Sequence, residues 1–197
     1  MTIEILAALS LFALVSSITP GPNNMMLLAS GANYGLLRSL PHMLGVAIGF
    51  SLMLVIVGFG IMQLFELYPT SYTLLQVVSI SYLLYLAFKL ATAAPMSTDT
   101  AKSGRPMTFI QAVLFQWVNP KAWTMAVTAI SIYAPNQDTR AILLVALVFG
   151  VVNLPAIFTW LMMGKQMQRL LTKQKHLKVF NVSMALLLVG SLYPMLG

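Results

Sequence analysis

Long apolar stretches without Asp, Glu, Lys or Arg alternate with short polar segments along the whole chain. A helix that crosses a bilayer needs about 20 apolar residues. Six regions are long enough for one such helix each, and the fourth of them is interrupted by Lys121. We therefore predict an all-α polytopic membrane protein with six transmembrane helices. The predicted spans are approximately 5–30, 42–65, 70–92, 108–133, 141–164 and 178–196.

Composition supports this class. Apolar residues make up 59% of the 197 positions and charged residues only 8%, against about 25% charged in an ordinary soluble domain. A soluble core of this length cannot hide so much apolar surface, so a soluble enzyme is excluded. We expect a single transmembrane domain over 1–197, with a cytoplasmic loop at about 94–107. The chain has no cysteine, which removes disulfides and thiolate metal sites.

The distribution of cations predicts the orientation. Nine of the eleven Lys and Arg residues lie in the loops that follow spans one, three and five. Basic loops stay in the cytoplasm, so both termini are predicted to be periplasmic. The net charge of +7 is then a topology signal, and we expect no nucleic-acid partner.

Prolines occur deep inside three of the predicted spans. Each proline removes a backbone donor and bends a helix. Irregular backbone is tolerated in a membrane only where protein or a wet cavity satisfies it. We predict that spans one and four are broken helices, with the carbonyls of Ser16 and Ile18 freed in the first. The alternative is a pair of kinked helices satisfied by neighbouring Ser and Thr side chains. The motifs are Thr19-Pro20-Gly21-Pro22-Asn23 followed by Asn24, then Asn119-Pro120-Lys121 preceded by Gln116, and Asn153-Leu154-Pro155.

The first two breaks occupy corresponding positions in two sets of three spans. The halves, about 1–93 and 106–197, would cross the membrane in opposite senses, which predicts a 3+3 inverted repeat. Such repeats bind substrates near the midplane between discontinuous helices. Half-helix N-termini attract an anion, and freed carbonyls attract a cation. A site that carries both groups therefore suits a zwitterion such as a free amino acid.

Lys121 is the one full charge placed well inside a predicted span. An intramembrane lysine is costly and points to function. We interpret it as an anchor for a substrate carboxylate, with snorkelling toward an interface as the alternative. No Asp or Glu lies within a predicted span, so proton coupling would use Lys121, His42 or water chains. Two histidines and no cysteine argue against a metal site, and we expect no cofactor.

These motifs resemble those of the lysine/homoserine exporter (LysE/RhtB) family of bacterial inner-membrane amino-acid exporters. The similarity rests on Thr19-Pro20-Gly21-Pro22-Asn23, on Gly35-Leu36-x-Arg38 followed by Gly45, and on Asn119-Pro120-Lys121. The combination is most similar to the branch that exports cysteine and O-acetylserine. The resemblance implies amino-acid efflux driven by the proton-motive force. Many members carry an aspartate in the fifth helix; here the nearest polar residue is Asn153, which can bind substrate but cannot carry a proton.

Our hypothesis is a secondary transporter, not an enzyme, that exports a small neutral or polar amino acid across the bacterial inner membrane. The alternatives are an exporter of a metal ion or other small solute on a related scaffold, an intramembrane enzyme and a non-transporting subunit. Gly45-x-x-x-Gly49 permits close helix contact, either within the chain or in a homo-oligomer. The predicted substrate-binding residues are Thr19, Pro20, Gly21, Pro22, Asn23, Asn119, Pro120, Lys121 and Asn153.

Overall fold

A computed structural model describes residues 1–61, 63, 67–93 and 104–193 of the chain. The regular elements in these ranges are helices. A π-helical turn, Val57–Ile61, continues α3, and a 3-10 turn, Gln116–Val118, continues α5. The α-helices are α1 (Ile3–Ile18), α2 (Pro22–Tyr34), α3 (Leu36–Ile56), α4 (Pro69–Ala91), α5 (Phe109–Phe115), α6 (Pro120–Tyr133), α7 (Thr139–Met167) and α8 (Gln174–Gly190).

Three continuous helical segments are long and apolar enough to cross a membrane, namely Leu36–Ile61, Thr70–Ala91 and Thr139–Met167. A fourth span results if α1 and α2, bent by 54° at their junction, count as one. The other two predicted spans contain shorter helices, because the chain is interrupted between α5 and α6 and because α8 has 17 residues. The helical class is therefore confirmed, whereas the six-span inverted repeat remains a prediction. Most of the predicted loop at 94–107 and the end of the sixth span lie outside the described residues.

Helix α7 packs against α1, α2 and α3 and supplies a row of fully buried side chains, including Phe149 and Leu161. Its approach to α2 depends on glycine. A Cβ atom on Gly164 would overlap the carbonyl oxygen of Leu28, and one on Gly31 would overlap that of Leu161. Small residues allow two backbones to approach this closely, so α2 and α7 are held together at near backbone contact.

Gly45 and Gly49 form a packing face inside the chain. A Cβ atom on Gly45 would overlap the Phe109 carbonyl oxygen, and one on Gly49 would lie 2.8 Å from the Val113 Cα. Both neighbours belong to α5, so this motif joins α3 to α5.

Pro155, the proline noted in the fifth span, does not interrupt its helix. Helix α7 runs from Thr139 to Met167 with Pro155 inside it. A single proline removes one backbone hydrogen bond, and the packing of α7 against three neighbours is sufficient to keep the helix continuous. The breaks in the first and fourth regions are present, and the site is built around them.

Candidate functional site

The first break separates α1 from α2. Helix α1 ends at Ile18, and Thr19 is extended, with φ −65° and ψ 146°. Gly21 is also extended and precedes Pro22, the first residue of α2. Pro22 is tolerated there because the first helical N–H has no intrahelical partner. Pro20 follows the end of α1 and Pro22 begins α2, and the two helices meet at an angle of 54°.

The carbonyls at the end of α1 are satisfied by side chains. Ser16 O accepts from the Thr19 hydroxyl at 3.0 Å, and Ile18 O accepts from the indole N–H of Trp160 on α7 at 3.0 Å. The buried Asn24 amide donates to Ser17 O at 2.8 Å and to Thr19 O at 2.7 Å. These contacts hold the break in one conformation, as expected for irregular backbone in an apolar environment.

The second break separates α5 from α6. After the 3-10 turn, Asn119 is extended with φ −92° and ψ 109°. Its side-chain oxygen caps α6 by accepting from the Lys121 backbone N–H at 3.2 Å, and Pro120 is the first residue of that helix. Asn119 is only 2% exposed. The segment therefore has the same plan as the first break, in which an extended residue precedes a proline that begins a new half-helix.

The two breaks contact each other through Lys121. Its Nζ donates to Thr19 O at 2.6 Å, to Thr19 Oγ1 at 2.8 Å and to Pro20 O at 3.3 Å. An ammonium has three donors, and the carbonyl end of α1 carries partial negative charge. The stem of Lys121 crosses Gly21, where a Cβ atom would lie 2.5 Å from its Cδ. Lys121 thus links the start of α6 to the end of α1.

A second bridge lies beside this contact. Asn23 Nδ2 donates to Gln116 Oε1 at 2.8 Å, and Gln116 Nε2 donates back to Asn23 Oδ1 at 3.3 Å. Gln116 is fully buried and also donates to Ala112 O at 2.8 Å. Side chains 93 positions apart in sequence therefore join the start of α2 to the end of α5.

An open cavity of about 320 Å³ lies at this junction. Five of the predicted site residues line it, and the other four do not. Thr19 and Pro20 contact Lys121, and Pro22 and Pro120 begin the half-helices. The described lining holds one cation and no acidic side chain. The lining residues are Ser16, Ser17, Gly21, Asn23, Asn24, Phe50, Asn119, Lys121, Ala122, Met125, Asn153 and Ile157.

Two polar groups of the lining have no hydrogen-bond partner among the described residues. These groups are the buried Ser17 hydroxyl and the side-chain amide of Asn153, which is 5% exposed. Buried polar groups are normally paired. Within the described part of the chain, the Ser17 hydroxyl is therefore a buried group with an unmet hydrogen bond, and Asn153 adds an unpaired amide to the same lining.

The sequence interpretation missed part of this lining. Asn24, which lines the cavity, and Gln116, which pairs with the lining residue Asn23, are polar flanks of the breaks that the sequence analysis does not assign to the site. Their position beside a proline, within an apolar stretch, was a sufficient signal. Phe50 and Met125 carry no such signal, because apolar side chains within a span are ordinary packing residues.

Comparison with known proteins decides the family. The family profile of LysE type translocators matches residues 14–191. The chain belongs to the LysE type translocator family. This LysE type translocator is also 29% identical over 191 residues to proteins called "Cysteine/O-acetylserine efflux protein", and the match covers 96% of each chain. Examples come from Escherichia coli (strain K12), Escherichia coli O1:K1 / APEC and Shigella sonnei (strain Ss046). No solved structure matches the chain.

The family assignment fits the helices described above. This LysE type translocator is a multi-pass inner-membrane protein whose relatives are translocators and efflux proteins rather than enzymes. The family resemblance inferred from the two proline motifs and the first loop is confirmed.

Proposed function

We propose that this chain is a secondary transporter that exports a small neutral or polar amino acid, or a derivative such as O-acetylserine, from the cytoplasm. The cavity between the two helix breaks is the binding site in this proposal. Its main support is the position of Lys121, whose ammonium lies at the contact of the two breaks and beside the cavity. The names of the relatives favour the same substrate class.

The cavity offers complementary groups to the two charges of a zwitterion. A substrate carboxylate binds the Lys121 ammonium and the free backbone N–H groups in the first turn of α2, where Gly21 supplies no side-chain cap. The substrate ammonium binds oxygen acceptors, namely the Asn153 side-chain oxygen and the Ser17 hydroxyl. The apolar walls, including Phe50 and Met125, limit the size of the substrate side chain.

Lys121 must exchange partners for this to occur. In the structure its three donors point to oxygens of Thr19 and Pro20. A carboxylate is a stronger acceptor for an ammonium than a neutral carbonyl, so the substrate replaces these oxygens. The exchange loosens α1 from α6 while the Asn23–Gln116 bridge remains. We propose that this loosening couples substrate binding to the change of access.

The proposed arrangement in the membrane is that of the sequence prediction. Six spans form an inverted repeat of about 1–93 and 106–197, with both termini periplasmic and the proton-motive force driving export. Because Asn153 cannot carry a proton, the coupling proton is carried by Lys121, His42 or ordered water.

The alternative of metal-ion export has no supporting observation. Within 1–61, 63, 67–93 and 104–193, no three His, Cys, Asp or Glu residues lie close enough together to hold a metal ion. The lining of the cavity between the breaks is made of amides, hydroxyls and one ammonium. These groups suit an amino acid better than a dication.

Efflux from loaded proteoliposomes tests the proposal. Vesicles containing the purified protein are loaded with labelled O-acetylserine, serine, cysteine or lysine, with and without a pH gradient. We expect protein-dependent efflux of the small neutral amino acids, accelerated by the gradient. Rates equal to protein-free vesicles for every amino acid would reject amino-acid export. Efflux of zinc or manganese ions in their place would establish the alternative.

A further inference from the structure

A second cavity, of about 460 Å³, lies at the end of the molecule that the basic loops assign to the cytoplasm. We call it the basic cavity. It is bounded by the second half of α2, the end of α4 and the segment 105–107 that precedes α5. None of its lining residues lines the cavity between the two helix breaks. Its lining residues are Met26, Ala29, Ser30, Asn33, Tyr34, His42, Leu86, Lys89, Leu90, Ala93, Arg105, Pro106 and Met107.

His42 is the unsatisfied group of this cavity. It is 1% exposed, and neither ring nitrogen has a hydrogen-bond partner among the described residues. A neutral imidazole carries one N–H donor and one acceptor. Burial of both without partners is unusual for a native protein. The observation therefore points to a ligand that supplies the missing contact.

The other buried polar side chains of the wall, Ser30 and Asn33, already have hydrogen-bond partners. Ser30 and Ser39 share a hydrogen bond of 2.7 Å. Asn33 donates to Asn181 at 2.8 Å and accepts from it at 3.0 Å. These groups fix the wall and leave His42 as the buried lining side chain whose ring nitrogens have no partner among the described residues.

The charges of the basic cavity select an anion. Lys89 and Arg105 line it, and the described lining contains no Asp or Glu. The guanidinium of Arg38 lies 5.9 Å from the ring centroid of Tyr34, which places a third cation beside the cavity. Two cations and a neutral N–H donor together match the oxygens of a carboxylate.

We propose that the basic cavity is a binding site for a small carboxylate on the cytoplasmic side, held by Lys89, Arg105 and the imidazole of His42. Helix α2 connects it to the transport site. Asn23 lines the first cavity and Asn33 the second, ten residues or about 15 Å apart along the helix. Leu27, which lies between these two positions on α2, is buried in an apolar cluster with Met43 and Val46.

The carboxylate belongs either to the amino acid awaiting export or to a separate organic anion that regulates export. The first case rests on the proposed function, and the second does not. Both sources share the chemistry of recognition, so binding can be tested apart from transport.

The two histidines of the chain, His42 and His176, provide the probe. Protein labelled with 13C in the imidazole is placed in phosphatidylcholine nanodiscs and titrated with acetate, serine or serinamide, which lacks the carboxylate. We expect a saturable shift of the His42 ring signal with acetate or serine and none with serinamide. His176 is exposed on α8 and serves as the internal reference; a His176→Gln variant assigns the signals.

The double variant Lys89→Gln/Arg105→Gln should weaken binding about 10- to 100-fold, the loss expected when charged hydrogen-bond partners are removed. The control variant Lys175→Gln, at an exposed position of α8, should leave carboxylate binding unaltered. A His42 shift with both acetate and serine indicates that the site recognises carboxylates in general. A shift with serine alone indicates that the ligand is the transported amino acid, and a shift with acetate alone indicates that it is a separate regulatory anion.

Three results would overturn the proposal. They are the absence of a His42 shift with both acetate and serine, an equal shift with serinamide, and unchanged binding in the double variant. A His42 shift produced only by phosphatidylglycerol in the nanodisc would also reject it, in favour of a lipid headgroup. A shift that persists in Lys121→Ala protein that no longer transports would show that the basic cavity binds independently of the transport site.

Discussion

Replacement of Lys121 by alanine removes three hydrogen bonds between α6 and the end of α1. Thr19 O retains its bond from Asn24 and the Thr19 hydroxyl retains its bond to Ser16 O, so two of the three oxygens stay paired. Net contributions of charged hydrogen bonds are about 1.5–3 kcal/mol. Lys121 is half-buried, so we expect a stability loss near the lower end, about 1–2 kcal/mol. That loss lowers the melting temperature by about 2–8 °C, and the variant still inserts.

Transport by the same variant should fall much further. Loss of a partner from a buried charge pair costs about 2 kcal/mol or more, which corresponds to at least about a 30-fold rise in KM. The assay is efflux of labelled O-acetylserine from proteoliposomes, with melting followed in detergent. The matched control is Lys175→Ala, which changes a lysine at an exposed position of α8. Wild-type efflux by Lys121→Ala would show that the ammonium does not bind substrate.

The companion variant Thr19→Val tests whether Thr19 and the substrate compete for the Lys121 ammonium. It removes one acceptor at 2.8 Å but leaves the ammonium in place. If substrate and break compete for that ammonium, the variant should bind substrate more tightly, with a lower KM and a lower melting temperature. A raised KM would contradict the exchange of partners.

Three further predictions test the fold and the site. Asn153→Ala should raise KM several-fold with little change in melting temperature, because its amide has no partner among the described residues; an unchanged KM would remove it from the site. Gly164→Ala should reduce the folded yield, since its Cβ overlaps backbone of α2, whereas Gly190→Ala, with no atom within 4 Å, should not; equal yields measured by gel filtration would refute the close approach. Pro20→Ala/Pro22→Ala should straighten the first break and slow efflux, so unchanged kinetics would argue against the broken helix.

Much of the fold could be predicted because hydropathy and proline act locally. Apolar stretches placed α3, α4 and α7, and the prolines at 20, 22 and 120 placed both breaks. Pro155 has the same chemistry and does not break its helix. The difference is tertiary: α7 packs along three helices, and those contacts outweigh the loss of one backbone hydrogen bond.

The sequence by itself determined that the chain is a helical membrane protein with two polar, proline-containing interruptions, because those properties depend on neighbours a few residues away. Tertiary structure decided what the interruptions contact. The pairing of Lys121 with Thr19 spans 102 positions, and the orientation of Gly45 toward α5 and the position of His42 in the wall of the basic cavity depend on helix packing. Contacts between distant segments arise from the shape of the whole bundle, which no local pattern specifies.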